Sequence, residues 1–210
     1  MGPSSAIIPM VKADAYGLGM ESVVQALEPE GPWGFGVATV EEGQRLRSAG
    51  VTKPILVVSP LPPGAYDQAV AASLTPSLSQ IEGVDRLAAA VERVGRSARF
   101  HVEIDTGMGR SGFDWRHVGD WSAALAERST DRLVWDGTYT HFHSADVVGD
   151  DSSSEQWSRF RQALDAADGD PSMLHACNGA AALRYPSWAA DAVRRRPGLR
   201  DRYAYRPALW

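Results

Sequence analysis

The chain has 210 residues, 44% of them apolar and 22% charged, which describes a soluble globular chain of one large domain and excludes a disordered or fibrous protein. Its net charge of −5 speaks against nucleic acid or an anionic membrane as partner, and a single cysteine, Cys177, excludes an intramolecular disulfide framework. The longest aliphatic run, 55–58, is too short to cross a bilayer and no apolar leader precedes Lys12, so a cytoplasmic location is expected. Short β-prone runs then alternate with segments rich in alanine, leucine, glutamate and arginine, the βα pattern of a parallel sheet.

The first run, 6–11, ends at Lys12; a helix is expected over 21–27 and a second strand over 35–38. A helix over 41–49 stops at Gly50, in the position just past a helix that glycine favours. The third strand, 54–59, is closed by Pro60, Pro62 and Pro63, none of which continues a helix or a central strand. After a weak fourth strand at 73–78, apolar residues at Ile81, Val84, Leu87, Ala88, Val91 and Val94 mark a helical stripe. The fifth strand, 98–104, alternates Phe100, Val102 and Ile104 with His101 and Glu103. A helix over 118–128, a sixth strand over 137–142, a helix marked by Trp157, Phe160 and Leu164, a seventh strand over 173–177 and an eighth over 191–199 complete the pattern. Eight strands point to an α/β fold of the (β/α)8 TIM-type barrel class, which typically takes ~250 residues and so requires short helices here. The pattern alone also allows an open doubly wound sheet.

In a parallel barrel the chemistry gathers at the C-terminal ends of the strands. That rule brings together Lys12 and Tyr16 from the first strand, Arg110 from the fifth, His141 from the sixth, Asn178 and Gly179 from the seventh, and the 194–199 region from the eighth. The stretch V-K-A-D-A-Y-G-L-G at 11–19 sets a lysine at the end of an apolar run, where Gly17 and Gly19 permit a tight turn; a lone lysine is ordinarily a surface charge. In D-T-G-M-G-R-S-G at 105–112 the glycines free backbone amides to approach an anion or a ring oxygen, and Arg110 supplies a cationic fork. Asn178-Gly179 opens a small-residue helix whose N-terminus suits a phosphate. A lone strand histidine is more often a satisfied core residue, the reading given to His101, His143 and His175. Cys177 reads as a small buried apolar residue, and no His, Cys and carboxylate spacing makes a metal site.

Taken together, these motifs resemble the alanine racemase family over 1–199, with 200–210 an atypical tail. The resemblance implies pyridoxal 5′-phosphate as cofactor, with Lys12 forming the Schiff base and serving as a base, Tyr16 bonding the phosphate, and Arg110 contacting the phenolic oxygen and the substrate carboxylate. T-H-F at 140–142 implies that His141 packs against the cofactor ring. H-A-C-N-G-A-A at 175–181 is similar to the family's H-x-A-N-S-A-A, with Gly179 in place of a phosphate-binding serine and Asn178 retained. The run 191–199 is similar to D-x-V-R-P-G-I with two residues inserted, so Arg194 or Arg196 would face the pyridine nitrogen, Arg196 fitting the R-P-G run better, and Gly198 and Leu199 would offer amides to the phosphate. Glu103 stands where many members carry a carbamylated lysine, and an ion pair with Arg110 is expected.

The activity implied is interconversion of L- and D-alanine, a small-molecule amino-acid substrate, supplying D-alanine for cell-wall peptidoglycan. The family is homodimeric and takes its second acid/base, a tyrosine, from a C-terminal β domain that this chain is expected to lack. The alternatives are a truncated cofactor-binding barrel without racemase activity, or another lyase or decarboxylase on the same barrel.

Overall fold

Every strand pairing among the described residues is parallel. The computed structural model describes residues 5–195. Its strands are β1 (Ala6–Pro9), β2 (Phe35–Val37), β3 (Ile55–Val57), β4 (Thr75–Leu78), β5 (Ala98–Asp105), β6 (Phe113–Asp114), β7 (Leu133–Tyr139), β8 (Met173–His175) and β9 (Ala192–Arg195). Between them lie α1 (Lys12–Gly17), α2 (Met20–Leu27), α3 (Val40–Ser48), α4 (Tyr66–Ala71), α5 (Ile81–Val94), α6 (Val118–Arg128), α7 (Ser152–Ala166) and α8 (Gly179–Arg184).

Strands β2-β3-β4-β5-β7-β8 pair in succession, and β1 pairs β9 in the register Ala6 to Ala192 through Pro9 to Arg195. Two seams join these sheets into a ring. On one side Trp33 N–H donates to Ile7 O at 3.0 Å, Val11 N–H donates to Gly36 O at 2.8 Å, and Met10 bridges Gly36. On the other, Asp191 N–H donates to Leu174 O at 2.9 Å and Arg194 N–H to Cys177 O at 3.1 Å. The result is the (β/α)8 barrel expected from the pattern, with β6 a two-residue addition beside β5.

The helices form for local reasons that the sequence carries. Thr39 caps α3 by accepting the Glu42 N–H, and α5 ends on Gly95, whose left-handed φ of +73° glycine adopts without the steric cost a side chain brings. The buried stripe Val84, Leu87 and Val91 of α5 packs on the outer face of the sheet, each such side chain contributing about 1.5–3 kcal/mol by leaving water.

Phe100, Val102 and Ile104 of β5 belong to that same outer core, so the polar partners in the alternation, His101 and Glu103, point into the barrel. There a small apolar layer of Ile8, Met10, Leu56, Met173 and Ala192 fills one end. Several elements differ from the expected ones. The sixth barrel strand spans Leu133–Tyr139 because the apolar run Leu133-Val134-Trp135 pairs with 98–100, and the register shifts by one residue at Asp136. Helix α4 follows the Pro-rich segment that masked it in the sequence, and the described part of the eighth strand is Ala192–Arg195.

Candidate active site

The chain leaves β1 through a turn of the wrong hand. Ala13, Asp14, Ala15 and Tyr16 all have φ between +52° and +58°, a left-handed turn built without glycine. Such a conformation costs roughly 1–2 kcal/mol per residue, so the turn holds on the order of 6 kcal/mol of local strain that its surroundings must offset. Ala15 is fully buried beneath it, and the Asp14 carboxylate accepts the Met20 N–H at 3.0 Å. Arg45 of α3 pairs with Asp14 at 3.0 Å and with Glu21. The turn places Lys12 and Tyr16 on the rim of a cavity of about 370 Å³ at the C-terminal ends of the strands.

That cavity is also lined by Ser59 and Pro60 after β3, Glu103 of β5, Arg110 and Ser111, Tyr139 and His141 after β7, Asn178 and Gly179, and Arg194 of β9. The loop carrying Arg110 is folded by Asp105, whose carboxylate accepts the Gly107 N–H at 2.9 Å and the Gly109 N–H at 3.1 Å. Those two amides are therefore engaged within the loop and are not free for a ligand, contrary to the sequence expectation. Gly112 closes the loop at φ +129°, where a Cβ would lie 2.4 Å from the Asp105 backbone nitrogen.

Arg194, 5% exposed, is the buried cation of the site. Its Nη2 donates to Thr140 O at 2.6 Å and Ala176 O at 3.2 Å; its Nη1 donates to His175 O at 3.1 Å and to His175 Nδ1. The Nε–H makes no hydrogen bond to a described residue. The guanidinium lies 4.4 Å from the centre of the Tyr139 ring. Because arginine only donates, His175 Nδ1 must accept, which leaves the His175 proton on Nε2, donated to His101 Nδ1 at 2.8 Å. The His101 proton then sits on Nε2, a buried atom without a partner in the structure. Burial, with Arg194 adding to it, pushes His175 well below the ordinary histidine range; burial pushes His101 down to about 4. His141 is pushed down to about 3 by burial and by Arg194, Arg110 and Lys12, so it presents an uncharged ring to the cavity.

Glu103 goes the other way. Burial raises its carboxyl above the usual range against the opposing pull of Arg194 and then of Arg110. The expected contact ion pair between Glu103 and Arg110 is not formed; Arg110 is exposed at the mouth and acts on Glu103 only at longer range. Tyr139, held by Ser77 Oγ at 2.6 Å, is pushed far above its ordinary value by burial and by the neighbouring Glu103.

Of the residues singled out in the sequence, Lys12, Tyr16, Arg110, His141, Asn178 and Gly179 line this one cavity. Asn178 caps α8 by accepting the Ala181 N–H at 2.9 Å. Arg196, Gly198 and Leu199 lie outside the described residues, and Arg194, the less favoured of the two arginines, occupies the cavity wall. His101 and His175 are buried, as expected, yet form the chain that holds Arg194; His143 is exposed and not a core residue. Ser59, Pro60 and Tyr139 were not singled out. The proline cluster after the third strand was the available signal for the first two, since it marks a strand's C-terminal end.

A sequence model of the alanine racemase N-terminal domain matches residues 1–199. The chain belongs to the alanine racemase family. The alanine racemase of Frankia casuarinae is 37% identical over 201 residues, and that of Geobacter sulfurreducens 38% over 199, the matches covering 93% and 92% of this chain and 51% of each relative. The chain thus spans about half the length of these relatives. Among solved structures, alanine racemase from D-cycloserine-producing Streptomyces lavendulae superposes with a TM-score of 0.84 at 34% identity, covering 92% of this chain and 52% of that one. A histidine racemase from Leuconostoc mesenteroides superposes at 0.84 with 27% identity, covering 93% and 52%.

Proposed function

We propose that the chain is the cofactor-binding barrel of a pyridoxal 5′-phosphate-dependent racemase that interconverts L- and D-alanine. The donor set fits that group. The chain has two lysines, Lys12 and Lys53, and Lys12 is the one on the cavity wall. Arg194 lines the same space, its Nε–H making no hydrogen bond among the described residues, and Tyr16, Asn178 and Gly179, also on the lining, would hold the phosphate. When bound, pyridoxal phosphate supplies the electron sink that stabilises negative charge at the substrate α-carbon.

The rest falls to this chain. Lys12 Nζ holds the cofactor and carries the α-proton on one face. Arg194, fixed by four hydrogen bonds, would supply the cationic donor that holds the ring. His141, neutral at physiological pH, would pack beside it without competing for charge, and Arg110 at the mouth would receive the substrate carboxylate. Racemisation returns a proton from the opposite face, and the reading assigns that group to the portion of the relatives beyond this barrel.

The single observation behind this reading is the convergence of Lys12 and Arg194, from opposite ends of the sequence, on one cavity. Titration with pyridoxal phosphate, followed by chiral assay of D- and L-alanine, tests it. Binding with turnover supports the proposal, binding without turnover leaves only the barrel, and absence of binding removes both. Because a histidine racemase shares the barrel, L-histidine belongs in the same assay, and turnover of it in preference to alanine would reassign the substrate.

A further inference from the structure

We infer that Glu42, on the first turn of α3, is the positioning residue that fixes Lys12. Its Oε1 accepts the Ala13 N–H at 2.7 Å across 29 residues of sequence, while its Oε2 accepts the Ala38 N–H at 2.7 Å. One carboxylate therefore ties the residue immediately after Lys12 to the residue immediately after β2. The Ala13 N–H is the first donor of the left-handed turn, and a backbone N–H left without an acceptor weakens whatever conformation strands it. Glu42 also completes the α3 cap, its own N–H donating to Thr39 Oγ1 at 3.3 Å. A helix-capping glutamate usually serves only its own helix; here one of its two oxygens is turned to the neighbouring βα unit.

Three residues on, Arg45 of the same helix pairs with Asp14. The face of α3 thus grips the turn at two successive residues, Ala13 and Asp14, and the lysine side chain starts from the residue just before them. The carboxylate is the required chemistry. The carboxylate serves three N–H groups, Ala13 on one oxygen and Ala38 and, at 3.4 Å, Thr39 on the other; glutamine in its place has one acceptor oxygen, and its amide nitrogen would meet a donor with a donor. The consequence is a loosened turn and a lysine whose nitrogen wanders from its place, the kind of misplacement to which site chemistry is most sensitive.

The inference rests on the reading that Lys12 holds pyridoxal phosphate, and its test separates the two. Wild type, Glu42→Gln and Thr39→Ala are compared in the full chain by hydrogen–deuterium exchange of the 11–19 segment, by thermal melting, and by affinity for pyridoxal phosphate. Thr39→Ala removes the helix cap but leaves the Glu42 to Ala13 bond. The expected result is exchange of 11–19 accelerated about tenfold or more in Glu42→Gln, with cofactor affinity reduced by a similar factor, while Thr39→Ala lowers the melting temperature without either change. Equal exchange of 11–19 in wild type and Glu42→Gln overturns the inference, as does an equal effect of both variants. Should wild type not bind pyridoxal phosphate at all, the cofactor reading fails, and the exchange comparison still decides whether Glu42 holds the turn.

Discussion

Lowering the pH from 7 to 5 should cost this fold several kcal/mol, through three histidines that the folded chain keeps neutral. His101 titrates at about 4, His141 at about 3, and His175 well below its ordinary value, all chiefly because burial penalises the charged ring. In the unfolded chain each takes up a proton near pH 6.5. Between about 6.5 and 4 the unfolded state therefore binds more protons than the folded one, and stability falls as pH falls. His101 and His141 each lose about 2 kcal/mol between pH 7 and pH 5 on this basis, about 4 kcal/mol together, and His175 acts in the same direction. Glu103 opposes them. Its raised carboxyl takes its proton in the folded state first and so returns part of the loss on acidification. The assay is equilibrium urea unfolding followed by fluorescence of the seven tryptophans at both pH values, for wild type and His101→Asn. The substitution should shrink the difference by about 2 kcal/mol. Equal stability of wild type at pH 7 and pH 5, or an unchanged difference in His101→Asn, would refute the neutral buried chain.

Gly112→Ala should cost about 2–3 kcal/mol, since it places a Cβ 2.4 Å from the Asp105 nitrogen at a φ of +129°; a urea midpoint equal to wild type would show that the Arg110 loop closes differently. Arg194→Lys keeps the charge but loses the fork that holds Thr140 O, Ala176 O and His175. A loss of about 3 kcal/mol is expected, lowering Tm by roughly 6–12 °C in a chain of this size. An unshifted melting curve would mean that the guanidinium is not what organises those carbonyls.

The barrel was legible because strand and helix segments alternate with clear boundaries at Gly50 and the prolines after 59. The polarity of its fifth strand was harder to read. In a barrel the face toward the helices is the larger apolar one, so Phe100, Val102 and Ile104 turn outward and the polar His101 and Glu103 line the interior. The same parity explains the arginine. On β9, Arg194 falls on the interior side with Ala192, but three consecutive arginines conceal that alternation in the sequence. The left-handed turn after Lys12 had no local signal, because its four residues are Ala, Asp, Ala and Tyr and the contacts that hold it come from Glu42 and Arg45. Likewise the amides of Gly107 and Gly109 looked available until the Asp105 carboxylate was seen to take both. The motif residues were legible; what holds them depends on residues brought near by folding.

The central claim is that Lys12 is the residue that holds pyridoxal phosphate, and the chain offers a built-in control. Incubation of the intact protein with pyridoxal phosphate, reduction with borohydride and peptide mapping will count the adducts on Lys12 and Lys53, the two lysines present. One adduct per chain on Lys12, with Lys53 unmodified, is the expected result. Equal labelling of both lysines, or none on Lys12 at saturating cofactor, would contradict it.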